Sequence, residues 1–169
     1  LKEAKDIYQE LNAVRRYDGY LVKIINEVNE KLIEVNEKKI LENLDDIETK
    51  FELAWCYYEN YRYDECIELM KDLELEDKHY RWQQYDILAR SYSVLEQYEK
   101  ALLYFSKWLD EEINDEEKQD REKEEIKRQR IAYILNRKGK SLFDLDRIEE
   151  ALYCYDEGLK YNPRNTVLM

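Results

Sequence analysis

The residue types that could do covalent or metal chemistry are few, and their spacing does not suit it. Cysteines stand at 56, 66 and 154, an odd count with no CxxC pair. That pattern fits buried, reduced thiols in a cytoplasmic protein better than a disulfide framework or a metal centre. His79 is the sole histidine, whereas a zinc site draws several His or Cys ligands from short spacings. The chain has no GxGxxG, no GxxxxGK followed by Ser or Thr, and no GxSxG. Phosphate cradles and the nucleophile elbow are therefore missing. Carboxylate pairs abound, but 40 Asp and Glu in 169 residues produce them on solvated faces without any acid–base role. The expectation is no catalytic residue, no metal and no cofactor. What is left is recognition: 16 Tyr, 3 Trp and a scatter of Arg, types that dominate protein-binding hot spots.

Composition narrows the partner. Against the 40 acids stand 28 Lys and Arg, a formal charge of −12. A nucleic acid or an anionic membrane needs a positive face, so neither is expected as a partner. With 3 Gly and 1 Pro, the turns of a β-rich domain cannot be supplied. Charged residues reach 40%, yet 44% of the chain is apolar and 13% aromatic, so it should fold. No run of 18 apolar residues offers a membrane span. The N-terminal residues Leu1-Lys2-Glu3-Ala4-Lys5 hold neither an initiator Met nor a signal-peptide core, so the expectation is that either the first residues are missing or the chain is a piece of a longer one.

Apolar residues recur every three or four positions almost throughout, the helical period. One run passes Ile7, Leu11 and Val14. A second, after a break at Tyr17-Asp18-Gly19, passes Leu21, Ile24, Ile25, Val28, Leu32 and Val35. A long third goes Ile40, Leu44, Ile47, Phe51, Ala54 and Tyr58, turning near Asn60-Tyr61-Arg62 into Cys66, Ile67, Met70 and Leu73. Then come Tyr85, Leu88, Ala89 and Tyr92, a turn at Leu95-Glu96-Gln97, and Ala101, Leu102, Phe105 and Trp108. A last pair holds Ile131, Ile134, Leu135 and Leu142, then Ala151, Leu152, Tyr155 and Leu159. Short turns between amphipathic helices make neighbours antiparallel. Residues 110–125 carry ten acids and three bases, and residues 127–140 carry six bases and no acid. Asn114 with Glu117 has the form of a capping box, and Glu117–Arg121 and Glu124–Arg128 are favourable i,i+4 pairs. A helix is expected to start near Asp115 and to run unbroken through Phe143.

Three segments fall on one frame. Tyr85-x-x-Leu88-Ala89-x-x-Tyr92 followed by Tyr98-x-x-Ala101-x-x-x-Phe105-x-x-Trp108 resembles the tetratricopeptide repeat pattern. Leu53-Ala54-x-x-Tyr57 with Tyr63-x-x-Cys66-x-x-x-Met70 matches it too. So does Gly139-x-x-Leu142 with Ala151-x-x-x-Tyr155, Leu159 and Asn162-Pro163. The small residues (Ala54, Ala89, Gly139; Cys66, Ala101, Ala151) belong where paired helices cross closely, and the large ones fill the gaps between hairpins. A single hairpin cannot bury its apolar face, so hairpins must stack. The resemblance implies an all-α fold, a right-handed α-solenoid of stacked helix hairpins with some unusually long helices. It divides the chain into a degenerate hairpin at 4–36 and repeats at 38–75, 82–110 and 115–163, the last with an extended first helix. Cys66 to Ala101 is 35 residues, near the family's ~34. Tyr20 to Cys66 is 46 and Ala101 to Ala151 is 50. The excess predicts two long projecting hairpins, the second shared between two antiparallel helices.

In proteins of this kind the first helix of each repeat lines a concave surface that holds a peptide or a helix. The frame puts Phe51, Trp55 and Tyr58 there, then Asp86, Arg90 and Ser93, then Tyr133, Asn136, Lys140 and Phe143. The expected partner-binding residues are Phe51, Trp55, Tyr58, Arg90, Tyr133, Asn136 and Lys140; Phe51 and Trp55 could equally pack under the N-terminal hairpin. The family's carboxylate clamp for chaperone tails would fall on Phe51, Trp55, Ile87, Tyr133 and Arg137, and only Arg137 fits it. The basic stretch 127–140 is expected to neutralise the acidic helix beside it rather than to hold a partner. The functional expectation is a non-catalytic scaffold binding another protein or peptide in the cytoplasm. The alternative is a regulatory or dimerisation segment of a larger enzyme or signalling protein. Residues 164–169 are too short for a capping helix, so self-association through the open C-terminal end is expected.

Overall fold

The computed structural model describes residues 19–115 and 121–163, with side chains from residue 23 onward. The run Ile7–Leu11–Val14, the pairings assigned to Glu117 and residues 164–169 lie outside them. Among the described residues there are seven α-helices and no strand. They are α1 Gly19–Glu42, α2 Ile47–Glu59, α3 Tyr63–Met70, α4 Lys78–Val94, α5 Tyr98–Ile113, α6 Arg121–Asp144 and α7 Ile148–Tyr161. The chain divides into two compact units, Leu1–Leu69 and Met70–Met169.

In the first unit the long third run is not one helix. α1 stops at Glu42, and Asp46 caps α2: its carboxylate accepts from the backbone N–H of Thr49 at 3.1 Å and the Thr49 hydroxyl at 2.6 Å. An Asp three residues ahead of a Thr offers the backbone a better partner than continued helix, so the apolar period runs across a break. α1 lies against α2, where the Tyr57 hydroxyl donates to Glu37 at 2.7 Å. Ile25, Ile33, Phe51, Leu53, Ala54 and Cys66 are buried.

In the second unit α4, α5, α6 and α7 pack in chain order, each against the next. Ala89, Ala101 and Ala151 are at most 1% exposed, and an ideal Cβ on Gly139 would lie 2.6 Å from the Tyr155 ring. The small residues thus sit where helix approaches helix. Gln84 is buried and donates to the carbonyls of Met70 at 2.7 Å and Leu73 at 2.9 Å, tying the segment before α4 to that helix.

One turn recurs three times. After α2, α4 and α6 the chain takes a left-handed residue, Tyr61, Glu96 and Asp146, at φ of 63°, 59° and 59°. The next N–H closes back on the carbonyl five residues earlier, Arg62 to Tyr57, Gln97 to Tyr92 and Arg147 to Leu142, each at 2.9 Å. This is the Schellman closure. Those same three residues then accept the first bond of the following helix, from Cys66, Ala101 and Ala151. The repeat is therefore visible in hydrogen bonding as well as in residue type.

The length surplus near residue 115 is shared almost evenly between two helices: α5 has 16 residues where α3 has 8, and α6 has 24 where α4 has 17. Asn114 closes α5, its N–H bonding the Asp110 carbonyl. Asp115 is non-helical. Its carboxylate takes Lys78 at 2.9 Å and its carbonyl takes Lys127 at 2.8 Å.

Candidate protein-binding surface

α4 and α6 run side by side in the second unit and touch at three levels. The Arg130 guanidinium lies 4.4 Å over the Trp82 ring, the Tyr133 hydroxyl donates to Asp86 Oδ1 at 3.3 Å, and the hydroxyls of Ser93 and Ser141 are 3.5 Å apart. The sequence offsets of these pairs, 48, 47 and 48, are nearly constant, so the two helices point the same way. Helical i,i+4 spacing then builds a polar array along the pair. Arg90 Nη1 stands 3.5 Å from Asp86 Oδ2, and the Arg137 guanidinium lies 5.3 Å over the Tyr133 ring.

Asp86 is half-buried, and that burial lifts its carboxyl above the ordinary aspartate range, opposed by Arg90, Tyr133 and Arg137. Burial likewise raises the Tyr133 phenol, and the Asp86 charge adds to it. The Tyr133 hydroxyl, donating to the Asp86 carboxyl, ties the two helices together at this level. Tyr133 also meets Trp108 edge-on, ring centroids 6.0 Å apart. The array can recognise a partner's polar groups and planar surfaces.

Of the expected contact residues, Arg90 and Tyr133 come together through Asp86. Asn136 is half-buried on the same helix as Tyr133, and Lys140 is exposed, with its ammonium 2.5 Å and 2.7 Å from the two Asp144 oxygens. In the first unit Trp55 meets Tyr58 edge-on at 5.8 Å, and Tyr58 meets Tyr63 at 5.3 Å. Phe51 is only 4% exposed and belongs to the core of that unit. Its place on the frame, one helical step (i, i+3) before the tight-crossing Ala54, turns a large apolar ring inward on the same face.

Residue types alone missed a buried ion pair. Glu112 on α5 has no exposed side chain, and Arg130 Nε sits 2.7 Å from its Oε1. Burial raises this carboxyl, with Arg130 opposing. The charge reversal between residues 110–125 and 127–140 was the signal, and it pointed to the basic segment rather than to a pair. The segment does serve structure: Arg130 holds Glu112, and Arg128 donates to the carbonyls of Tyr161 and Lys160 at the end of α7, each at 3.2 Å.

Among the described residues no group of three or more His, Cys, Asp or Glu could hold a metal ion. Among them, too, no helix is long and apolar enough to cross a membrane. No curated protein matches the chain. Residues 132–165, which hold the second half of α6 and all of α7, match the family model of the tetratricopeptide repeat, so this all-α chain is similar to tetratricopeptide-repeat proteins there.

Proposed function

We propose that the chain is a non-catalytic scaffold that binds a peptide or helix of a partner protein, and that in the second unit the α4–α6 face makes the contact. A repeat of this family points to protein partners in general. The observation that supports this particular face is the array of half-buried Asp86, Arg90 and Tyr133 with the exposed Arg137, whose side chains fix one another before any partner arrives. Preorganised aromatic and guanidinium groups lose little entropy on binding. A pull-down or peptide array comparing wild type with Arg90→Ala and Tyr133→Ala tests it. Retained peptides should weaken about tenfold or more; unchanged binding by both variants moves the site off this face.

A second reading, a dimerisation or regulatory segment, has its own support. Ile148, Leu152 and Leu159 recur along α7 at helical spacing and are 40%, 56% and 39% exposed. Such a stripe is able to bury itself against a second copy or a further helix. We place the protein in the cytoplasm, in keeping with cysteines that lack disulfide spacing.

A further inference from the structure

A second surface lies away from the α4–α6 face. α5 and α7 stand apart over α6 and leave a groove of about 740 Å³. Leu102 and Leu103 wall it on one side and Tyr153 on the other, with Leu135 and Leu142 beneath. Leu103 and Tyr153 are 52% and 65% exposed, an unusual position for large apolar groups facing one trough. The rim carries Glu99, Glu149 and Glu150 against Arg147 and Lys138. Arg147 is already engaged: it grips Glu150 through two bonds of 2.7 Å and reaches Glu99 at 3.6 Å. Three carboxylates against two cations leave the rim negative, and the Glu99 side chain is 72% exposed.

We infer that this groove receives a basic amphipathic helix from a partner protein. Apolar side chains at i, i+3 and i+4 would fill the trough between Leu103 and Tyr153, and flanking Lys or Arg would face the rim glutamates. Charge decides among occupants. A second copy would set a chain of net charge −12 against the acidic rim, and nucleic acid would meet the same repulsion. A cationic segment gains on both counts, and its apolar stripe excludes a simple polyelectrolyte.

The test uses a dye-labelled synthetic peptide of Leu and Lys at helical period, and a twin with Glu in place of every Lys. Fluorescence anisotropy is read with the whole chain and its variants, each checked for helicity by circular dichroism. The Lys peptide should bind and the Glu peptide should not. Leu103→Asp should weaken binding about tenfold, the scale of one lost apolar side chain. That variant adds negative charge, so unspecific attraction to an acidic protein would strengthen instead. Tyr153→Asp, at an even more exposed position, should act the same way. Failure of the wild type to bind, equal binding of the two peptides, or unchanged affinity in both variants overturns the inference. Loss on Arg90→Ala but not on Leu103→Asp would put the peptide on the α4–α6 face, supporting that reading against this one. Self-association abolished by Leu103→Asp would make a second copy the occupant.

Discussion

Glu112 and Arg130 show how a single charge pair is held at the junction of α5 and α6. A carboxylate removed from water is tolerable only because a guanidinium sits beside it. Arg130→Ala should cost about 2 kcal/mol at neutral pH, below the roughly 3–5 of a fully buried pair because Arg130 is partly solvated. Burial raises the Glu112 carboxyl in the folded chain. Its favourable contribution is therefore complete below the unfolded carboxylate range and is lost as pH rises through the folded value. Without Arg130 that loss deepens. Urea unfolding at neutral and acidic pH should show the penalty of Arg130→Ala shrinking as pH falls. The double variant Glu112→Gln/Arg130→Ala should recover most of it at neutral pH. A penalty independent of pH would mean that Arg130 acts through its contact with Trp82 alone.

The helices owe their register to the closures that end α2, α4 and α6. Each needs one residue in the left-handed region, and none of the three is Gly. Glu pays more for that conformation than Asp, whose short side chain accommodates it. Glu96→Gly should thus stabilise the protein by about 0.5–1 kcal/mol, the relieved strain exceeding the added freedom of the unfolded chain. Asp146→Gly should gain less. Thermal unfolding reads both, and a loss on Glu96→Gly would show that its side chain contributes more than its backbone costs. The closures also make the hairpins legible: Tyr57, Tyr92 and Leu142 accept the closing bond, and these are the large residues of the repeat frame. The break at 43–46 was not legible in the same way. Ile40, Leu44 and Ile47 keep helical spacing through it, and only the Asp46–Thr49 bonds reveal the stop.

The whole molecule presents three distinct surfaces in its second unit: the polar α4–α6 face, the apolar groove between α5 and α7, and the exposed stripe of α7. If the stripe drives self-association, Leu152→Asp should shift sedimentation from dimer to monomer while leaving binding to the α4–α6 face intact. A wild-type chain that stays monomeric at high concentration removes that role from the stripe. The residue order by itself determined that the chain is helical, where the hairpins turn, and which small residues lie at the crossings. These follow from periodicity, turn closure and side-chain size, all properties of neighbours within a few positions. Only the tertiary structure decided that Phe51 turns inward, that Asp86 meets Tyr133 47 residues away, that Glu112 finds Arg130, and that α5 and α7 part to leave a groove. Those outcomes depend on how far each long helix slides against the next, and spacing along the chain does not encode that slide, because it is set by side chains that meet from dozens of positions apart.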